Sequence, residues 1–147
     1  MKSGFAGIVG RPNVGKSTLM NALVGEKVAI TSSKAQTTRN AIRGIYTDDE
    51  YQIVFIDTPG IHKPKNKLGE YLTGTALSTF NEVDVILFLT DGPLSAGPGD
   101  RYILELLRKV KNTPKLLVIN KIDLIEPDKF RQIYEEYDAE GVFDDIL

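Results

Sequence analysis

A run of eight residues near the amino terminus has the composition of a loop that wraps around phosphate groups. The spacing G-x-x-x-x-G-K-[ST] is met by Gly10, Arg11, Pro12, Asn13, Val14, Gly15, Lys16 and Ser17, and Thr18 follows. Glycines let the backbone curl so that successive N–H groups point at phosphate oxygens. The Lys16 ammonium would contact the β- and γ-phosphates of a nucleotide, and Ser17 would place its hydroxyl on Mg²⁺. The alternative is a glycine-rich turn with an exposed lysine.

A second group has the residue types that recognise a guanine base. Asn120, Lys121, Ile122 and Asp123 form the pattern N-K-x-D directly after an apolar run. The Asp123 carboxylate can accept from N1–H and the exocyclic amine of guanine, whereas Asn120 can tie this loop to the phosphate loop. We expect a largely buried carboxylate that costs several kcal/mol when unpaired, which favours guanine over adenine by ~10³. The alternative is an exposed loop in which Asp123 caps a helix.

Two further segments could sense a γ-phosphate. Asp57 would hold Mg²⁺ through water, and the Gly60 N–H can approach the γ-phosphate because no side chain blocks it. Thr58 and Pro59 lie between them, and the second switch would extend over residues 61–69. In the first switch, Thr38 is the expected Mg²⁺ ligand, with Thr37 as the alternative. Both threonines could instead be ordinary exposed loop residues.

The residue after Gly60 suggests slow catalysis. Ras-like proteins place a water-orienting glutamine there, whereas this chain has Ile61, which we also assign to the nucleotide site. His62, the single histidine, is a weaker candidate for a base because loop histidines beside lysines are usually exposed. We expect hydrolysis to be slow without a partner or an activating cation. The catalytic candidates are Lys16, Asn13, Thr38 and Gly60.

Short apolar strands are predicted to bring these groups to one edge of a sheet. The predicted strands are 5–9, 41–47, 51–56, 85–89 and 116–119, and the predicted helices are 17–24, 101–110 and about 127–139. The second and third strands form a hairpin around a polar turn, and the last two are central and parallel. This alternation predicts an α/β P-loop NTPase fold, with a doubly wound, mostly parallel sheet and one antiparallel edge hairpin.

Composition limits the classes of function. The chain has 147 residues, 41% of them hydrophobic, which suits one domain with one substantial core. Its formal net charge of −2 does not favour nucleic-acid binding by the domain as a whole. The absence of cysteine favours the cytoplasm, where a longer parent protein could also associate peripherally with a membrane. We expect no membrane span and a monomer.

Taken together, the motifs resemble those of the Era family of GTPases. The resemblance covers essentially the whole chain, and it is carried by residues 10–17, 34–39 (Lys-Ala-Gln-Thr-Thr-Arg) and 57–69. It implies a GTP-to-GDP cycle with bound Mg²⁺, coupled to assembly of the small ribosomal subunit and its 16S rRNA. Asn13 matches a residue that helps hold K⁺ in several relatives, which makes K⁺ stimulation a hypothesis. The alternative for Asn13 is a role in loop turn chemistry.

The sequence departs from that family at its carboxyl end. It reaches Leu147 before the Ser-Ala-Lys/Leu-type motif that completes the guanine pocket. We therefore expect residues 1–147 to be a GTP-binding domain truncated at its carboxyl end, with its last strand and helix incomplete. The RNA-binding KH domain of the family would be missing, and rRNA contacts would belong to that domain in the parent protein. Two alternatives are a nucleotide-dependent binding module with negligible hydrolysis and the domain of a related tRNA-modification or large-subunit GTPase.

Overall fold

The computed structural model describes residues 2–11, 14–24, 41–57 and 77–147. Six strands lie in these stretches: β1 (Lys2–Gly10), β2 (Ala41–Thr47), β3 (Tyr51–Asp57), β4 (Val85–Thr90), β5 (Lys115–Ile119) and β6 (Asp145–Ile146). The helices are α1 (Lys16–Val24), α2 (Pro98–Arg108) and α3 (Pro127–Glu140), and residues 77–82 are also helical. Short 3-10 turns occupy Leu94–Ala96 and Ile122–Leu124. None of the helices in these stretches is long and apolar enough to cross a membrane.

The strands form one sheet in the order β2-β3-β1-β4-β5-β6. Every neighbouring pair is parallel except β2 and β3, which form the antiparallel hairpin at one edge. The Asp48 carboxylate shapes its turn by accepting from the backbone N–H groups of Glu50 and Tyr51, each at 2.8 Å. The predicted α/β fold, with a mostly parallel sheet and one antiparallel hairpin, is confirmed.

Apolar side chains cover both faces of the central strands, as continuous apolar runs predict. Along β4, Ile86 and Phe88 pack with α2 and α3, whereas Leu87 and Leu89 pack on the face that carries α1. Because neighbouring side chains of a strand point to opposite faces, one short run contributes to both halves of the core. This arrangement leaves the carboxyl ends of the strands free to carry polar residues.

The helices differ from the prediction in several details, and two of these differences bear on packing. Helix α2 begins at Pro98 rather than at Arg101, because proline is well suited to a first helical turn and Asp100 adds a favourable negative charge there. The helical spacing of the sequence predicts Phe130, Ile133, Tyr134 and Tyr137 on the inner face of α3, but Tyr134 is 40% exposed. The buried residues of that helix are Ile133 and Tyr137, four positions apart on one helical face.

Candidate functional site

The phosphate-loop sequence connects β1 to α1, as its motif requires. β1 ends at Gly10 and α1 begins at Lys16, and the Gly15 carbonyl accepts the first helical hydrogen bond, from Leu19 N–H at 2.9 Å. Gly15 has φ +100°, a conformation that L-residues with a side chain rarely adopt. The turn therefore aims the amino-terminal end of α1 and its N–H groups at the carboxyl edge of the sheet, where an anion would be stabilised.

Lys16 and Asp57 meet at this edge. The Nζ of Lys16 lies 3.5 Å from Oδ1 of Asp57, which closes β3, and both side chains are mostly buried. Ser17 stands beside Lys16 in the first turn of α1. The structure thus places an ammonium group, a carboxylate and a neighbouring hydroxyl residue where a polyphosphate and its cation would bind.

The donor types fit Mg²⁺, which takes oxygen ligands and is usually held by one or two carboxylates together with phosphates. Asp57 offers one carboxylate and Ser17 one hydroxyl. No group of three or more His, Cys, Asp or Glu residues that could hold a metal occurs in the described part of the chain. Any Mg²⁺ at Asp57 would therefore need phosphate oxygens or water to complete its coordination.

The base-recognition loop is tied to the phosphate loop by a direct hydrogen bond. Asn120 Nδ2 donates to the backbone carbonyl of Val14 at 2.9 Å, the connection expected from the sequence. A Cβ added to Gly15 would collide with the same Asn120 nitrogen, so any side chain at position 15 would have to displace the amide that joins the two loops. Backbone N–H of Asn120 also donates to the carbonyl of Thr90 at 2.7 Å, which fixes this loop to the end of β4.

The remainder of the N-K-x-D segment is strained and exposed. Lys121 adopts a left-handed conformation with φ +59°, which is uncommon for a residue with a side chain and occurs at functional turns. Ile122 is 58% exposed, and Asp123 is exposed rather than largely buried. The surface position of the 3-10 turn explains the difference, so the prediction of a largely buried Asp123 carboxylate is wrong, while its energetic cost when unpaired stays a prediction. Asp123 does not cap α3, which follows Glu126.

Sequence reasoning missed an acidic pair behind the phosphate loop. Arg11 Nη2 donates to Asp91 Oδ1 at 2.5 Å, and Arg11 Nε forms an ion pair with Asp100 Oδ1 at 2.9 Å. Lys121 Nζ approaches the other oxygen of Asp91 at 3.2 Å. The side chain of Arg11, expected only as part of the phosphate loop, is therefore held between two carboxylates.

The pKa values of the two carboxyl groups shift in opposite directions, because burial outweighs the neighbouring cation at Asp100 but not at Asp91. Burial acts to raise the pKa of Asp91, but hydrogen bonds and charge from Lys121 and Arg11 outweigh it, so its pKa falls below 3.8. The Asp100 side chain is 1% exposed, and desolvation raises its pKa despite the opposing effect of Arg11. Burial lowers the pKa of Arg11, yet the charges of Asp100 and Asp91 raise it overall. Arg11 therefore stays protonated between Asp91 and Asp100.

Two hydroxyl groups continue the network into the core. Tyr137 O–H donates to Thr90 Oγ1 at 3.2 Å, and the Thr90 hydroxyl lies 3.1 Å from Asp100 Oδ2. Burial raises the pKa of Tyr137 far above its usual range, which keeps it a neutral donor. The sequence held one signal for this network, because Asp91 directly follows an apolar strand, as Asp57 and Asn120 do.

The structure therefore brings together the described parts of both nucleotide motifs. Gly10 and Val14 are buried, Arg11, Gly15 and Lys16 are partly buried, and Ser17 and Thr18 are exposed at the start of α1. The predicted site residues that lie outside the described stretches are Pro12, Asn13, Thr38, Thr58, Pro59, Gly60 and Ile61. Their roles, and those of Thr37 and His62, stay predictions.

Known proteins with similar sequences and folds include several Era proteins. The chain is 61% identical over 147 residues to GTPase Era of Clostridioides difficile (strain 630) and covers 49% of it. It matches a crystal structure of Era in complex with MgGDPNP and nucleotides 1506–1542 of 16S ribosomal RNA at 42% identity, with TM-score 0.75, covering all of this chain and 50% of that one. It also matches a structure of a variant of Aquifex aeolicus Era bound to GDP.AlF4-, at 43% identity and with TM-score 0.74. That match covers all of this chain and 50% of the Aquifex aeolicus chain.

These matches confirm the predicted resemblance to Era proteins. The chain spans about half the length of the curated relatives it matches. A model of the family described as 50S ribosome-binding GTPase matches residues 5–121, which include the phosphate loop and the first residues of the N-K-x-D segment. On this match over most of its length, the chain belongs to the 50S ribosome-binding GTPase family.

Proposed function

We propose that this chain is a guanine-nucleotide switch that binds GTP and GDP and hydrolyses GTP slowly. The observation that carries the proposal is the Asn120 hydrogen bond to Val14, which joins the loop expected to read guanine to the loop expected to hold phosphates. Lys16 and Asp57 lie at the same edge of the sheet. The geometry therefore supports one ligand that has both a guanine base and a polyphosphate.

Lys16 and the amino-terminal end of α1 would supply most of the phosphate binding by this chain's own groups. The ammonium is attached to a helix end, so its charge is pre-positioned for a β- or γ-phosphate. Binding there would draw Lys16 away from Asp57, at 3.5 Å a long contact that is weak enough to exchange. Mg²⁺ held near Ser17 and Asp57 would neutralise the charge that develops on the transferred phosphoryl group.

Guanine selection would come from Asp123, with Asn120 fixing the loop. Because Asp123 is exposed, its selectivity would depend on a bound base shielding it from water and pairing with both of its oxygens. Adenine offers no matching pair of donors. We therefore expect a guanine preference that is clear but below the value for a carboxylate buried by the protein alone.

Hydrolysis would be slow because Ile61 cannot orient the attacking water. Gly60 and Thr38 would sense the γ-phosphate, and Asn13 would favour K⁺ as an activating cation. Equal GTP turnover in sodium and potassium buffers would overturn the K⁺ assignment. In the longer protein, we propose a role in small-ribosomal-subunit assembly. The Era relative solved with nucleotides 1506–1542 of 16S ribosomal RNA supports this role.

Single-turnover hydrolysis of GTP by the 147-residue chain tests the enzymatic part of the proposal. We expect slow phosphate release that requires Mg²⁺ and is lost in Lys16→Ala, with Lys109→Ala as a matched control because Lys109 is an exposed lysine beyond the end of α2. Phosphate release that does not depend on Lys16 would contradict the proposal. GTP binding without release would favour the alternative, a nucleotide-dependent binding module.

A monomer acting in the cytoplasm is the arrangement that we propose. Lysine residues 63, 65 and 67 are candidates for rRNA contacts, although a solvated switch loop is the role that we favour for them. The acidic balance of 20 acidic to 18 basic residues argues against strong rRNA binding by this domain alone. The alternative roles in tRNA modification or large-subunit assembly gain no support from the Era matches.

A further inference from the structure

A single carboxylate connects the two nucleotide loops by charge. Oδ1 of Asp91 accepts from Arg11 Nη2 of the phosphate loop (residues 10–17) at 2.5 Å. Its Oδ2 lies 3.2 Å from Nζ of Lys121 in the N-K-x-D segment, residues 120–123, which we call the base loop. The Asp91 side chain is 21% exposed, so it is partly shielded from water and from salt. Each oxygen is thus committed to a different loop.

We propose that Asp91 is a positioning residue that couples the phosphate loop to the base loop, so that neither part of the nucleotide site is set independently. The inference rests on the proposed binding of guanine nucleotides. Asp91 would not touch the nucleotide. It would act through Arg11 and Lys121, and its removal would loosen both halves of the site together.

Arg11 is suited to transmit this coupling because a second carboxylate, that of Asp100, also holds its guanidinium. Its Nε is paired with Asp100, which is buried in the first turn of α2 and in turn lies 3.1 Å from the hydroxyl of Thr90. An added Cβ on Gly99 would come within 3.1 Å of the Arg11 Cδ, so the stem of Arg11 is also confined. A planar guanidinium held by two carboxylates has little freedom to follow a moving loop.

Of the two cations that pair with Asp91, Lys121 is the one whose backbone is strained. Its left-handed conformation is unfavourable for a residue with a side chain and persists only where surrounding contacts hold it. The ion pair with Asp91 is one such contact, and the 3-10 hydrogen bond from Leu124 N–H to the Lys121 carbonyl, at 3.0 Å, is another. Asp91 therefore supports the conformation from which Asp123 is presented.

This connection is distinct from the bond between Asn120 and Val14. That bond joins a side-chain amide to a backbone carbonyl, whereas the Asp91 connection depends on charge. A change of Asp91 to asparagine keeps the size of the side chain and removes the charge. This substitution removes the charge connection through Asp91 and keeps the hydrogen bond between Asn120 and Val14.

The test compares nucleotide affinities to show whether a variant binds the phosphates or the base less tightly. The affinity ratio of GDP to GMP reports the phosphate loop, because GMP lacks the β-phosphate. The ratio of GDP to IDP reports the base loop, because hypoxanthine lacks the exocyclic amine that Asp123 would bind. For Asp91→Asn we expect GDP affinity to fall about tenfold and both ratios to fall several-fold, as the loss of one charged hydrogen bond would give.

Glu140→Gln is the matched control, because Glu140 also holds two cations, Arg108 at 2.9 Å and Arg101 at 3.9 Å, and is 28% exposed. It lies at the end of α3, outside the nucleotide motifs. We expect both ratios to be unchanged in this variant, whatever its loss of stability. Equal ratios in Asp91→Asn and wild type would show that Asp91 is merely structural and would overturn the inference.

Two further outcomes separate this inference from the proposed function. If the wild-type chain does not bind GDP, the proposed function fails and the inference falls with it. If Asp91→Asn does not fold, Asp91→Glu replaces it, since the longer carboxylate keeps the charge and shifts both cations. We then expect wild-type thermal stability within a few degrees and lowered ratios, and unchanged ratios would overturn the coupling.

Discussion

The side-chain amide of Asn120 donates to the backbone carbonyl of Val14 at 2.9 Å, across a separation of 106 residues in the chain. This bond brings the segment after β5 against the loop between β1 and α1. Parallel strands make it possible, because β1, β4 and β5 are adjacent and their carboxyl ends share one edge. The loop expected to read guanine and the loop expected to hold phosphates are thereby joined within the protein itself.

Replacement of Asn120 by alanine should weaken GDP binding about tenfold or more, since one hydrogen bond is lost and the Val14 carbonyl is left without this donor. Fluorescent-GDP titration measures the effect. Asn81→Ala is the control, because Asn81 also donates to a backbone carbonyl, that of Leu77 at 3.0 Å, but lies in the helical segment 77–82. Equal losses in the two variants would argue against a role for the Asn120 bond in binding.

Substitution of Gly15 by alanine should abolish measurable nucleotide binding, because the new Cβ would collide with Asn120 Nδ2. Gly141→Ala is the matched control, since Gly141 also has positive φ, at +67°, but its added Cβ would meet nothing within 4 Å. It should lower the free energy of unfolding by about 1 kcal/mol and leave GDP affinity unchanged. Chemical denaturation and GDP titration of both variants give the comparison.

Tyr137→Phe should lower the free energy of unfolding by about 1 kcal/mol, because the buried hydroxyl donates to Thr90 at 3.2 Å. Tyr134→Phe should change it little, since Tyr134 of the same helix is 40% exposed. Urea denaturation of the nucleotide-free variants measures both effects. A stability loss in Tyr134→Phe that matched the loss in Tyr137→Phe would contradict the importance of the buried hydroxyl network.

The stability contributed by Asp91 should depend on pH. Its folded-state pKa is below 3.8, so the stabilisation is complete above that unfolded value and disappears as the pH falls through the lower folded-state pKa. The charged groups facing it are Arg11, Lys121 and the buried Asp100. The difference in unfolding free energy between wild type and Asp91→Asn should be constant from about pH 7 to pH 5 and shrink below about pH 4. A difference that grew on acidification would refute the ion-pair assignment.

Much of the site could be predicted because local residue patterns determine it. The apolar runs predicted the parallel strands. The phosphate-loop motif, which ends in Gly15, Lys16 and Ser17, predicted a strand before the loop and a helix after it. The Asn120 connection followed from placing two motifs at one edge of a sheet. These inferences need only the order of the elements and the chemistry of the side chains that follow them.

The network of Arg11, Asp91 and Asp100 could not be predicted in the same way. Arg11 and Asp91 are separated by 80 residues, and Asp100 has the sequence features of any acidic residue in a first helical turn. Only the packing of α2 against the sheet buries Asp100. The exposure of Asp123 was also missed, because a motif specifies residue types and leaves the depth of the turn to the tertiary structure.

Competition between guanine and adenine nucleotides for the 147-residue chain tests the central claim most directly. The measurement is displacement of a fluorescent GDP analogue by unlabelled GDP, GTP and ADP in Mg²⁺ buffer, repeated with Asp123→Ala. The account predicts displacement by GDP and GTP at far lower concentration than by ADP, with the preference removed in the variant. Equal displacement by ADP and GDP in the wild-type chain would contradict it.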